Sequence, residues 1–302
     1  MTISIHADVF AGQPVRPYDP ADAAPHAGAY RLTVEYDSER RFPELLDDFL
    51  AKHGGRLTAL VVGSWGDSQD GGSEVVQALV AAKDRMPGLT ALYLGDITYE
   101  ECEMSWIQHG DISELLPAFP RMEEFRVRGT TGLRFGRLTH AALKSFAVES
   151  GGLDAEIINE VLAADFPHLT HLELWLGEPN YGGVEDTAIL APLLVGGLFP
   201  KVTSLGLRNS SIQDAVAHDV AASKIIKRLE RLDLSLGNLG DEGAAALVAA
   251  PAVKKLTSLD LHHHYLSDEM SAKLQAMGIP VDLSDGQGGD ADPDDRYITV
   301  GE

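Results

Sequence analysis

Four stretches of this 302-residue chain gather residue types that could do chemistry. His262-His263-His264 offers three imidazoles, common metal ligands. Consecutive residues at a strand end point in different directions, so no more than two could reach one ion, and no Cys-x-x-Cys pair completes a zinc set. The run from Gly63 to Ser73 is glycine-rich and leads from an extended stretch towards a helix, where phosphate loops sit. It lacks the Gly-Lys-Ser/Thr ending, and Asp67 and Asp70 would repel a phosphate. Glu100-Glu101-Cys102-Glu103 with His109 matches no ligand spacing. The run from Asp290 to Asp295 could open a calcium loop, but Asp295 stands where that loop needs glycine and Gly301 where it needs glutamate. No Ser/His/Asp, Cys/His or paired-carboxylate set stands out, so the chain is read as non-catalytic, with neither metal nor cofactor.

The elements that must position any site announce themselves by repetition. Leu89-x-x-Leu92-x-Leu94 recurs as Leu169-x-x-Leu172-x-Leu174, Val202-x-x-Leu205-x-Leu207, Leu229-x-x-Leu232-x-Leu234 and Leu256-x-x-Leu259-x-Leu261. Weaker copies begin at Ala29, Leu57, Met122, Leu143 and Gly278, which brings the number of rungs to ten, at intervals of 21 to 33 residues. Such a unit has an apolar face too small to stand alone, and stacking buries that face in one core. The return limbs read as helices, with Ser73, Asp154 and Ser267 as N-caps. Phe119-Pro120, Phe166-Pro167 and Phe199-Pro200 end three limbs alike: proline stops the helix, biases the residue before it towards extended geometry, and frees the phenylalanine to fill the core.

The stretch Leu229-Glu230-Arg231-Leu232-Asp233-Leu234-Ser235-Leu236-Gly237-Asn238-Leu239-Gly240-Asp241-Glu242-Gly243 resembles the ribonuclease-inhibitor class of leucine-rich repeat, and the chain over about 29–283 is similar to bacterial cytosolic leucine-rich repeat proteins. The resemblance implies one strand and one helix per unit and a role in protein binding. The expected fold is therefore an α/β leucine-rich repeat solenoid, a curved horseshoe of about ten parallel strands with helices outside. Its expected divisions are an N-terminal segment and strand–helix cap over 1–56, repeats over 57–284, and an acidic linker with a short strand-like tail over 285–302. That tail, Arg296-Tyr297-Ile298-Thr299-Val300, is apolar enough to return and cover an edge. One departure is that Ile97, Gly177, Ser210, Gly237 and His264 stand where the class usually places Asn or Cys after the strand.

Alternate side chains of a strand face opposite ways, so residues between and beside the leucines line the concave face. Its early part is small and apolar, with Val61 and Gly63. Its middle carries Arg126, Arg128, Glu149, His171, Glu173, Trp175 and Arg208, and its last part Asp233, Asp260, His262 and Asp282. Trp175, among charges of both signs, has the composition of an exposed interface anchor. The long loops carry Trp65 and Trp106, which points to a rim beside that face. A formal net charge of −22 repels nucleic acid and anionic membranes and favours a basic partner. One cysteine, no window of eighteen apolar residues, and no basic or apolar leader from Met1 to Asp8 predict a cytoplasmic protein. These features fit a protein-interaction scaffold. Two other readings stay open: an accessory subunit presenting a protein substrate to a modifying enzyme, and a small-molecule binder or enzyme with its site under the long loops.

Overall fold

The computed structural model describes residues 3–21, 28–289 and 291–301; Met1, Thr2 and Asp290 lie outside them. The chain divides into two compact units, one of Ile3–Glu149 with Ala163–His168, the other of Ser150–Leu162 with the chain from Leu169 onward.

The first unit carries β1 (Val9–Phe10), β2 (Gln13–Pro17), β3 (Ala29–Val34), β4 (Ala59–Trp65), β5 (Ala91–Leu94), β6 (Glu124–Arg128) and β7 (Ser145–Glu149). The pair β1–β2 is an antiparallel hairpin that turns on Ala11 and Gly12, both at positive φ (50° and 68°). Two left-handed residues give the hairpin the twist of its strands, and glycine takes one of them without cost. From β2 onward the pairing is parallel, with Leu60 opposite Leu92, Leu92 opposite Phe125, and Phe125 opposite Phe146. The second position of the repeat phrase thus stacks on itself from rung to rung. Helices Phe42–His53, Ser73–Ala81 and Leu115–Ala118 return the chain, while the limb between β6 and β7 is irregular.

The second unit carries β8 (His171–Gly177), β9 (Ser204–Ser210), β10 (Arg231–Asp233), β11 (Ser258–Asp260) and β12 (Val281–Asp282), all parallel. Leu172, Leu205, Leu232, Leu259 and Val281 share one register position. Its helical limbs are Ala155–Leu162, Ala191–Leu194, Gln213–Ala222, Asp241–Ala249 and Asp268–Gln275. Burial of the leucine face explains why such short strands hold: Leu174, Leu207, Leu234 and Leu261 are fully buried.

A strand stands at each of the ten rungs read from the sequence, and the hairpin before the first rung raises the count among the described residues to twelve. Ser267 caps its helix by accepting from the Met270 N–H (3.1 Å), and Asp154 accepts from the Ile157 N–H (2.9 Å). Ser73 instead lies inside its helix, and Gly72 is the N-cap. Phe119, Phe166 and Phe199 are all buried as expected, but Phe199 turns through a φ of 46° rather than staying extended before its proline. No described helix is long and apolar enough to cross a membrane.

Candidate functional site

The side chains marked on the sequence gather into two clusters, one in each unit. In the first unit Glu149 sits at the centre, at the end of β7. It accepts from the Tyr93 hydroxyl (2.9 Å), from Arg126 Nη1 (3.1 Å) and from Arg128 Nε (2.7 Å). Arg128 also donates to the Ile97 carbonyl (2.9 Å) and lies 3.6 Å from Asp96, which Arg31 approaches to 3.2 Å. Both arginines of β6 lie over the Tyr93 ring, 5.4 and 5.5 Å from its centroid. Burial opposes the Arg128 charge, but Tyr93, Glu149 and Asp96 outweigh it and hold its pKa above the ordinary arginine value. Burial pushes the Tyr93 phenol well above its usual range.

That cluster is covered by the chain's own beginning. Phe10 packs on Tyr93 with ring centroids 5.7 Å apart, within a buried group that includes Ala29, Ala59, Val61 and Ala91. The Ala7 N–H donates to both Asp96 oxygens (3.2 Å each), and the Tyr99 N–H donates to the Ile3 carbonyl (2.8 Å). The small apolar start of the sheet face is therefore the seat of residues 3–17 and not open surface.

The second cluster spans β8 to β12. Glu173 Oε1 accepts from Trp175 Nε1 (2.7 Å) and from Arg208 Nη1 (3.1 Å), while its other oxygen lies 3.5 Å from His171. Arg208 lies 5.0 Å from the Trp175 ring centroid and reaches across to Ser235 Oγ (2.9 Å) and Asp233 (3.2 Å). Trp175 is only 5% exposed, so the open anchor expected from the sequence is instead a ring packed beneath an arginine. Both clusters use one device: a carboxylate takes the aromatic ring's polar hydrogen and an arginine that lies over the same ring.

Parallel register places Asp233 opposite Asp260, and Asp260 opposite Asp282. Burial raises the pKa of Asp233 and Asp260 adds to this, with Arg208 pulling it back. His262 Nδ1 lies 2.7 Å from Asp260; that bond raises the histidine's pKa, and it holds the Asp260 pKa low against the effect of burial. Asp260, His262 and Asp282 bring one potential ligand atom each within 4.8 Å of one another. The three consecutive histidines diverge as their spacing requires: His263 turns to Asp285 (3.3 Å) and His264 to the Leu283 carbonyl (3.1 Å).

Of the two tryptophans read from the sequence as long-loop residues, Trp65 instead ends β4, and Trp106 stands in the loop after β5. Trp106 is 54% exposed. Trp65 is half-buried with its ring 5.4 Å from that of His109. His109 is fully buried and bonded through Nε2 to the Arg128 carbonyl (2.7 Å); burial lowers its pKa to about 4 against that bond. Gly95 is required there, at φ 88°, because a Cβ would lie 2.6 Å from the same carbonyl. Trp65 Nε1 and His109 Nδ1 are buried without hydrogen-bond partners among the described residues. Burial and the neighbouring acids Asp67, Glu103 and Glu101 push the Cys102 thiol up to about 11, which disfavours the thiolate. A cavity of about 400 Å³ lies away from these tryptophans, among Lys83, Pro87, Phe119 and Arg121 on the return limbs.

Asp96 and Asn209 were not marked by the sequence reading. Period-two alternation identifies a face, but it does not show that Tyr93 and Asp96 complete the Arg128–Glu149 network or that Asn209 is fully buried.

The fold and both clusters define a protein of stacked strand-and-helical-limb repeats with a recurring apolar phrase at the strands from β3 onward. No family model and no curated protein matches the sequence. A Bacteroides fragilis protein, known from a structural-genomics crystal structure, superposes with a TM-score of 0.83 at 30% identity, over 90% of this chain and 77% of that one. The chain belongs to the same family as that protein. An internalin from Listeria monocytogenes gives a TM-score of 0.31 at 14% identity, over 85% of this chain and 74% of that one.

Proposed function

We propose that this is a non-catalytic, cytoplasmic protein-interaction scaffold of the ribonuclease-inhibitor-like leucine-rich repeat class, and that it binds a basic protein or peptide on the open face of β8–β12. The observation that carries this reading is the in-register row of Asp233, Asp260 and Asp282, with His171, Glu173, Arg208 and His262 on neighbouring positions. Like charges stacked directly across a sheet are unfavourable unless something positive meets them. Arg208 and His262 offset two of the three carboxylates. Asp282 is exposed and faces solvent, ready for a lysine or arginine of a partner. The formal charge of −22 favours approach of such a partner and disfavours nucleic acid and anionic membranes. Arg126, Arg128 and Glu149 form ion pairs within the first unit, where Trp65 ends β4 and Trp106 stands in the long loop after β5.

Affinity capture from a soluble cell extract tests the reading, using the wild-type chain beside an Asp233→Asn, Asp260→Asn, Asp282→Asn variant. A basic protein retained by the wild type at low salt and lost by the folded variant is the expected result. Identical captures by both chains, or none by the wild type, sink the proposal.

A further inference from the structure

Besides Phe199, four non-glycine residues of the second unit have left-handed backbones: Asn209 (φ 50°), Leu236 (68°), His263 (57°) and Asp285 (57°). They are separated by 27, 27 and 22 residues, the same intervals as their rungs at Val202, Leu229, Leu256 and Gly278. Non-glycine residues seldom adopt this conformation, and strain of this kind gathers at sites where backbone or side chain must be aimed. Three of the four, Asn209, Leu236 and His263, touch one extended segment, Arg296 to Gly301, while Asp285 contacts His263. The sequence predicts that this segment returns to cover a sheet edge; it runs instead across the strand ends, over Asn209, Leu236 and Tyr265.

Asn209, fully buried, holds Val300 by both backbone groups: Nδ2 donates to the Val300 carbonyl (2.6 Å) and Oδ1 accepts from its N–H (3.0 Å). The Leu236 carbonyl accepts from the Thr299 N–H (2.8 Å). The Tyr265 hydroxyl meets both the N–H (3.1 Å) and the carbonyl (3.3 Å) of Tyr297, and His263 Nε2 lies 3.3 Å from that carbonyl. Ile298 and Val300 are buried, and Arg296 lies over the Tyr265 ring at 5.7 Å. Backbone hydrogen bonds alternating with side-chain seats are how a groove reads an extended peptide.

The resident segment fits imperfectly. Thr299 Oγ1 and Arg296 Nε are buried without a hydrogen-bond partner among the described residues, and the Arg296–Asp214 pair is long at 3.7 Å. An exposed acidic stretch through Asp292, Asp294 and Asp295 leads into it. We propose that this strand-end row is a peptide-recognition groove, and that residues 296–301 are its tethered occupant. The ligand it selects in trans is a partner's extended segment of the order basic, aromatic, β-branched, β-branched, β-branched, with valine or isoleucine where this chain places Thr299. The groove is separate from the sheet face proposed above, so either can fail without the other.

The test uses the full-length chain carrying Ile298→Asp and Val300→Asp, which unseat the resident, and fluorescently labelled peptides. The double variant should bind Arg-Tyr-Ile-Thr-Val-Gly, and bind the Thr299→Val analogue at least ~fivefold tighter because a buried unpaired hydroxyl is removed. The wild-type chain should bind either peptide about a hundredfold more weakly, since a short tether holds its own segment at an effective concentration of order millimolar. Adding Asn209→Ala to the double variant removes two hydrogen bonds and should weaken binding at least ~tenfold. Four results would overturn the proposal: no peptide binding by the folded double variant up to about 1 mM, equal binding by the wild type, indifference to Asn209→Ala, or no gain from valine. Failure of the double variant to fold would overturn it too, because the segment would then be part of the fold and not an exchangeable guest.

Discussion

Glu149 and Glu173 show how this protein keeps charge inside a small repeat. Each carboxylate gives up water and gains an arginine and an aromatic donor in its place. Such pairs add little net stability over an apolar core, but removing one partner strands the other. Arg128→Met should therefore cost ~3–5 kcal/mol in urea denaturation, because Glu149 and Asp96 stay buried with one cation fewer. Arg41→Ala, which breaks the exposed pair with Glu74, should cost no more than ~1 kcal/mol. Equal costs for the two variants would contradict this account of the network. Trp175→Ala follows the same logic: a buried ring is lost, so it should destabilise by ~3–5 kcal/mol as well as disturb Arg208. His109 supplies a pH dependence. Its folded pKa of about 4 lies below its ordinary 6.5, so the unfolded chain takes up the proton first as pH falls. Stability is then lost from about pH 6.5 downward and the loss is complete near pH 4, at ~3 kcal/mol in all. His109→Gln keeps a donor for the Arg128 carbonyl and should flatten that part of the curve; an unchanged slope between pH 6.5 and 4.5 would count against the assignment.

At the scale of the elements, the repeat phrase carries the core. Leu234 is fully buried directly after the three-residue strand β10, so Leu234→Ala should cost ~2–5 kcal/mol, read as a lower urea midpoint; an unchanged midpoint would contradict the stacking. This part of the structure was legible in the sequence because a strand has a fixed two-residue period and parallel register copies it from rung to rung. The phenylalanines before Pro120, Pro167 and Pro200 were legible for a similar reason, since a local turn rule sets them. What alternation leaves open is the neighbour across the open face. Val61 was placed on that face, yet Phe10 lies over it and over its cross-strand neighbour Tyr93, from a hairpin before the first rung. Trp175 likewise lies under Arg208, whose long side chain reaches over from the adjacent strand. Phe10 lies outside the repeat, so no spacing links it to that face; Arg208 shares the repeat position of Trp175 one rung on, but alternation does not show that its side chain folds over the ring.

For the whole molecule, the formal charge of −22 is a standing cost to the folded state, because like charges crowd together when the chain compacts. Raising sodium chloride from ~10 mM to ~300 mM shortens the screening length and should raise the melting temperature; a fall would show that attractive pairs outweigh the repulsion. The three tryptophans have a consequence of another kind, an optical one. Trp106 stands in solvent, so iodide should quench its emission freely. Trp175, enclosed by Arg208 and bonded to Glu173, should emit out of reach of the quencher. A ligand that settles over the long loops of the first unit would shield the accessible light, and one that moves Arg208 would shift the colour of the hidden light. The chain thus carries its own pair of lamps, one in each unit, by which the place of binding can be told without attaching a label.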